Sequence, residues 1–101
     1  MSEEKRAYSW RQFVESGFDG RDYKFPTFEG TYTATIACKR WDKHNNVIAY
    51  LDFDDGRKTL TSAWQSEQYH GLPDMPFGSR VRVTFGKSAN GKFYLRGVEE
   101  I

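Results

Sequence analysis

Residues 76–96, PFGSRVRVTFGKSANGKFYLR, have the pattern of two β-strands joined by a short polar loop. Residues 80–85 run Arg, Val, Arg, Val, Thr, Phe, so alternate side chains point to opposite faces of a strand. Phe93 and Leu95 continue this apolar set on the far side of an Asn-Gly turn. The stretch therefore predicts a closing hairpin that buries one face and exposes arginines on the other.

The segment before Lys39 predicts a first strand. Apolar side chains recur at every second position after Thr31, and β-branched threonines fill the positions between them. We expect one face of this strand to enter the core through Tyr32, Ala34, Ile36 and Cys38.

Residues 47–53 alternate in the same way and predict a second strand. If its valine, alanine, leucine and phenylalanine face inward, Tyr50 faces outward. Residues 54–56, Asp-Asp-Gly, are typical of a tight hairpin turn, and a third strand follows over residues 57–63 or 57–64.

The N-terminal region predicts one short helix. Ser9 and Gln12 have the spacing of a capping box, which favours a helix over residues 10–16. Trp10 and Phe13 fall on one helical face, and both are expected to pack onto the strands.

A further helical turn is expected at residues 65–70, ahead of an irregular link to the final hairpin. We therefore divide the chain into an N-terminal tail, helix and loop over residues 1–27 and a β-barrel over residues 28–101. At 101 residues the sequence can build one modest hydrophobic core.

The order of these elements resembles that of the OB fold, the oligonucleotide/oligosaccharide-binding barrel. The resemblance covers residues 28–98 and includes GSRVRV at residues 78–83 and GKFYL at residues 91–95. It implies a mainly β, five-stranded barrel with a short N-terminal helix and a helical turn between strands three and four. An SH3-like barrel or another small open roll is the structural alternative.

Charge and composition exclude several classes of protein. The formal net charge is only +1, although residues 29–98 carry ten Lys or Arg against seven Asp or Glu. No apolar run is long enough for a membrane span, and no secretory signal is recognisable at the N-terminus. The single cysteine, Cys38, excludes an internal disulfide and is expected to be buried. These features favour a cytoplasmic protein.

No constellation of catalytic or metal-ligating residues is recognisable. His44 and His70 lack a cysteine, histidine or carboxylate at ligand spacing, and no glycine-rich loop opens a helix. We therefore expect no enzymatic activity, no metal and no cofactor.

The resemblance implies a ligand groove across strands two and three, flanked by the loops that join strands one to two and four to five. Single strands bind such grooves by base stacking on aromatic rings and by neutralisation of phosphates. The residues of this sequence at these positions or just beyond them are Lys39, Arg40, Trp41, Lys43, Tyr50, Arg57, Lys58, Trp64, Lys87, Lys92, Tyr94 and Arg96. Arg80 and Arg82 of the final hairpin are added as a candidate wall of the groove.

The sequence thus favours binding of single-stranded nucleic acid, DNA over RNA, with little sequence preference. The alternative is a protein–protein interaction barrel that acts as an accessory subunit or inhibitor of a larger enzyme. Near-neutral charge and the acidic cluster at Asp52, Asp54 and Asp55 support that alternative, because phosphate neutralisation dominates nucleic-acid binding. Exposed strand edges can also pair between two copies of the chain, so a homodimer is a further alternative.

Overall fold

The computed structural model describes residues 7–43, 46–63 and 75–101. Within these residues the chain is mainly β, as predicted, with one helix followed by five strands. The elements are α1 (Trp10–Ser16), β1 (Gly30–Trp41), β2 (Val47–Phe53), β3 (Lys58–Ala63), β4 (Arg80–Lys87) and β5 (Phe93–Glu100). The predicted helical turn at residues 65–70 and the predicted site residue Trp64 lie outside the described residues.

The five strands form one antiparallel sheet in the order β3-β2-β1-β4-β5. The long central strand β1 pairs with β4 along its first half and with β2 along its second half. Among the described residues no hydrogen-bonded ladder joins the edge strands β3 and β5. Both edges nevertheless line a common cleft, so the sheet curls until its two ends are neighbours.

Alternation in the strands places the main core on one face of the sheet, as the sequence predicted for β2 and β4. This core contains Val47, Ala49, Leu51, Phe53, Val81, Val83 and Phe85, together with Ala34, Ile36, Leu95 and Val98. Phe28 packs against the same core and contacts Phe85 edge to face at 5.4 Å.

A register shift in β1 shows that the direction predicted for the side chains at the end of this strand is wrong. The shift lies between Ile36 and Cys38, where β1 pairs with β2. Such an extra residue reverses the facing of every side chain beyond it. Cys38 is buried, as expected, but it belongs to a second apolar cluster rather than to the main core.

The helix α1 begins and ends as its sequence predicts. The Ser9 hydroxyl accepts a hydrogen bond from the Gln12 backbone N–H, and the Gln12 side chain accepts one from the Ser9 backbone. Gly17 ends the helix with a left-handed φ of 78°, a conformation that favours glycine. Only Phe13 of this helix is buried. No helix within the described ranges is long and apolar enough to cross a membrane.

Candidate nucleic-acid interface

The N-terminal segment covers the outer face of β1 and β2. Phe13 and Tyr23 form the second apolar cluster with three residues of the sheet, Cys38, Ile48 and Tyr50. The cover begins at Tyr8, whose backbone N–H and C=O both hydrogen-bond with β1, at 2.9 Å and 2.8 Å. The surface expected to carry a ligand is therefore partly occupied by the chain itself.

The expectation that Tyr50 offers an exposed ring for base stacking is wrong. Tyr50 does point away from the main core, as its parity predicted, but only 4% of it is exposed. Phe13 stacks on its ring at a centroid distance of 5.5 Å, and Phe18 and Tyr23 contact it edge to face. The loop passes so close that a Cβ on Gly20 would lie 2.7 Å from the Tyr50 ring.

Lys39 is likewise not on the surface. It is fully buried, and its ammonium donates a hydrogen bond to the backbone carbonyl of Met75. Lys39 was expected in an exposed loop, but β1 continues to Trp41 and the register shift turns this side chain inward. A phosphate on the protein surface cannot reach it in this arrangement.

Two tryptophans share a cleft of about 640 Å³ between the start of α1 and the end of β1. Trp10 is 60% exposed, and Trp41 is half-buried against the edge of the main core. The cleft is also lined by Ser9, Arg40, Asp42 and Lys43. We call it the tryptophan cleft. It brings three of the predicted residues together, namely Arg40, Trp41 and Lys43.

Arg40 joins this cleft to the covered ring of Tyr50. Its Nε donates to the Tyr50 hydroxyl at 3.0 Å, and its guanidinium lies 5.3 Å from the Trp10 ring centroid. It also lies 5.4 Å from the ring of Phe13. Guanidinium–ring contacts of this kind contribute about 0.5–2 kcal/mol each. Arg40 is therefore held in place at the floor of the cleft.

Four other predicted cations pair with carboxylates. Arg80 makes a two-pronged contact with Asp54, Nη1 to Oδ1 at 2.6 Å and Nη2 to Oδ2 at 2.7 Å. The remaining pairs join Arg57 to Asp55, Lys58 to Asp52 and Arg82 to Glu99. Because each positive charge lies beside a negative one, these positions add little to a field that attracts phosphate.

The predicted residues near the β4–β5 loop form a second group. Tyr94 is 46% exposed and lies over Gly86, where a Cβ would approach its ring to 2.9 Å. The stem of Arg96 lies over the same glycine. The Lys87 ammonium lies 5.6 Å from the Phe93 ring, and Lys92 is exposed in the adjoining turn. Among the described residues, no carboxylate pairs with Lys87, Lys92 or Arg96.

Trp10 is the site residue that sequence reasoning missed, because it was expected to pack onto the strands beside Phe13. In a helix of seven residues only one narrow stripe meets the sheet, and here Phe13 fills it. Trp10 instead stacks on the outer side of Phe13 at 5.6 Å and turns towards the cleft. The sequence did carry a signal for this exposure, because Trp10 is the first residue of the helix. A residue at a helix end can lie beside the packed surface and not within it.

No group of three or more His, Cys, Asp or Glu in the described parts of the chain is placed to hold a metal ion. Comparisons of the chain with protein-family models, with curated proteins and with solved structures give no match.

Proposed function

We propose that this protein binds single-stranded nucleic acid, DNA in preference to RNA, on a barrel of the OB type. The strand order β3-β2-β1-β4-β5 supports the OB interpretation, because it places β1 between β2 and β4 and brings β3 close to β5. The long β1 with a register shift midway allows one strand to serve both halves of a curled sheet.

The observation that carries the proposal is the tryptophan cleft. Two indole rings and two cations, Arg40 and Lys43, line one concave surface. Aromatic rings beside cations suit a single strand of nucleic acid, because bases stack on the rings and the cations neutralise the adjacent phosphates. Each stacked base contributes about 1–3 kcal/mol without regard to its identity, which fits binding with little sequence preference.

The distribution of charge also supports binding at this end of the sheet. Four predicted cations are paired with carboxylates and lie away from the cleft, whereas Lys43 has no carboxylate partner among the described residues. Asp42 lines the same cleft, and its Oδ1 accepts a hydrogen bond from the Asn46 backbone. The balance at the cleft is mildly positive, so we expect moderate affinity with a shallow salt dependence.

Fluorescently labelled oligo-dT tests the proposal. We expect an anisotropy increase together with quenching of tryptophan fluorescence, and the logarithm of the affinity should fall linearly with the logarithm of salt concentration. Trp10→Ala should weaken binding at least five-fold, because it removes one stacking platform. Val14→Ala is the matched control, since Val14 is exposed to a similar extent one turn further along α1.

No anisotropy change in low salt at protein concentrations on the order of 10⁻⁴ M would exclude the proposed function. Binding that is lost equally in Trp10→Ala and Val14→Ala would place the contact elsewhere on α1. Labelled oligo-U of the same length tests the preference for DNA. The absence of enzymatic activity stays a prediction.

One observation favours the second candidate, a protein–protein interaction barrel. Trp10 and Val14 lie one helical turn apart, and each is more than half exposed, so α1 presents an apolar ridge to solvent. A protein partner would use both side chains, whereas a nucleic acid would use the indole ring and the cations. Recovery of one stoichiometric partner that nuclease does not release, and that Val14→Asp does release, would favour this alternative.

A further inference from the structure

A second cleft lies where the edge strands β3 and β5 come together. It has a volume of about 460 Å³, and its walls include Phe25, Ser62, Lys92 and Tyr94. We call it the seam cleft. Phe25 is 64% exposed, and neither Phe25 nor Tyr94 contacts another aromatic ring in the described chain. Two exposed aromatic rings, Phe25 and Tyr94, therefore face the same cleft.

The backbone beside each ring is held by the sheet. The residue before Phe25, Lys24, pairs with the outer edge of β3: its N–H donates to Lys58 at 3.3 Å, and its C=O accepts from Leu60 at 3.0 Å. Pro26 follows Phe25 and restricts the chain further. Tyr94 lies over Gly86, where an added Cβ would come within 2.9 Å of its Cζ and its hydroxyl oxygen. Both rings are thus exposed on backbone that is already ordered, which lowers the entropic cost of ligand binding.

Charge at the seam cleft matches a phosphate chain. Lys92 lines the cleft, while Lys87 and Arg96 flank Phe93 and Tyr94. In the described part of the chain none of these three cations pairs with a carboxylate. Aromatic rings with unpaired cations beside them repeat the arrangement of the tryptophan cleft.

The sheet register connects the two clefts. Arg40 at the tryptophan cleft pairs with Ile48, and Ile48 pairs with Ser62, which lines the seam cleft. These three residues face the outer side of the sheet, as Tyr50 and Leu60 do, and lie in one row. Ile48 is buried under the N-terminal segment, so a strand that joins the two clefts passes over that segment and not over the bare sheet. Two strand spacings, about 10 Å, separate Arg40 from Ser62 across the sheet.

We propose that the seam cleft is a second base-binding subsite for the same single strand, with Phe25 and Tyr94 as its stacking rings. This inference rests on the proposed function and makes it more specific, because it sets a minimum ligand length. A strand that fills both clefts needs about four nucleotides, the short end of the range for barrels of this type. Phe25 belongs to the N-terminal segment, so that segment supplies one ring to each cleft.

The test is a length series of labelled oligo-dT, of two, four, six and eight nucleotides, measured at one salt concentration. Wild-type affinity should rise at least ten-fold between two and six nucleotides and then level off. Phe25→Ala and Tyr94→Ala should each reduce the six-nucleotide affinity by about ten-fold and leave the two-nucleotide affinity unchanged. Tyr94→Phe keeps the ring and should bind like the wild type.

Gly86→Ala provides a variant that keeps every ring but displaces Tyr94. It should weaken six-nucleotide binding several-fold in the wild-type background and have a smaller effect in Tyr94→Ala, because the ring is then gone and only the Arg96 stem, 3.1 Å from the added Cβ, still meets it. Circular dichroism and thermal unfolding of each variant check that the fold is retained.

An affinity independent of length, or Phe25→Ala and Tyr94→Ala variants that bind six nucleotides normally, would overturn the inference while leaving the tryptophan cleft in place. Failure of every oligonucleotide to bind would remove the proposed function, and the inference with it. Binding of an extended apolar peptide to the seam cleft, lost in Phe25→Ala and without effect on six-nucleotide binding, would assign the cleft to a protein partner and overturn the inference.

Discussion

Phe13 stacks on Tyr50 with ring planes 20° apart, and this pair attaches the N-terminal helix to the outer face of β2. Both rings are buried, whereas Val14, the next residue of the helix, is exposed. We expect Phe13→Ala to lower the free energy of unfolding by about 3 kcal/mol, because it removes buried area and leaves a cavity. Urea denaturation measures this change.

Val14→Ala is the control for that experiment and should change stability by no more than about 0.5 kcal/mol. Similar losses in the two variants would show that the helix does not depend on the Phe13–Tyr50 contact.

The hydrogen bond between Tyr23 and Asp52 predicts sensitivity to high pH. The Tyr23 hydroxyl donates to Asp52 Oδ1 at 2.5 Å, and burial together with this bond raises the pKa of Tyr23 well above its usual value. An unfolded chain loses the phenolic proton at about pH 10, while the folded chain still holds it. Stability should therefore fall as pH rises above about 10.

Tyr23→Phe removes the proton and should make unfolding less dependent on pH in that range, at the expense of lower stability at pH 7. Tyr94→Phe, at an exposed position, should keep the wild-type dependence. The measurement is the urea midpoint of each protein at pH 9 and at pH 11. If the midpoint falls between these pH values by as much in Tyr23→Phe as in the wild type, the assignment is contradicted.

Asp54 predicts the opposite sensitivity, at low pH. Hydrogen bonds from Arg80 and then from Thr33 lower the pKa of Asp54 well below its usual value. Because the folded carboxyl binds its proton more weakly than the unfolded one, the contact stabilises the fold above about pH 4. This contribution should be lost as pH falls further, through the pKa of the folded state.

Arg80→Met tests this prediction, since it removes the guanidinium and leaves a side chain of similar length. Urea midpoints for the variant should fall less than those of the wild type between pH 5 and pH 2. Arg82→Met, which disrupts the neighbouring pair with Glu99, is the matched control. An equal acid dependence in wild type and Arg80→Met would refute the role given to Asp54.

Cys38 is predicted to be chemically inert in the folded protein. Burial raises the pKa of its thiol to about 11, so little thiolate exists at neutral pH. A thiol reagent at pH 7.5 should modify it slowly in buffer and rapidly in 8 M urea. Modification at the same rate in both conditions would show that the second apolar cluster is open to solvent.

The strands and their faces could be predicted because a strand alternates its side chains whatever it packs against. The alternation of Val81, Val83 and Phe85 identified β4, and its inward set is buried as expected. The capping residues Ser9 and Gln12 likewise defined α1, since capping depends on neighbours a few residues apart. Arg40, Trp41 and Lys43 were also predicted together, because they are close in sequence at one strand end.

Only the tertiary structure decided which way the β1 side chains point beyond residue 36 and which residues cover the Tyr50 ring. The register shift in β1 depends on pairing with β2. No local sequence pattern therefore predicts that Lys39 points towards the main core or that Cys38 points away from it. Tyr50 has the outward parity that its sequence implies, yet Phe13, thirty-seven positions earlier in the chain, stacks on it. Local chemistry thus determined the elements, while contacts between distant segments determined which aromatic rings reach solvent.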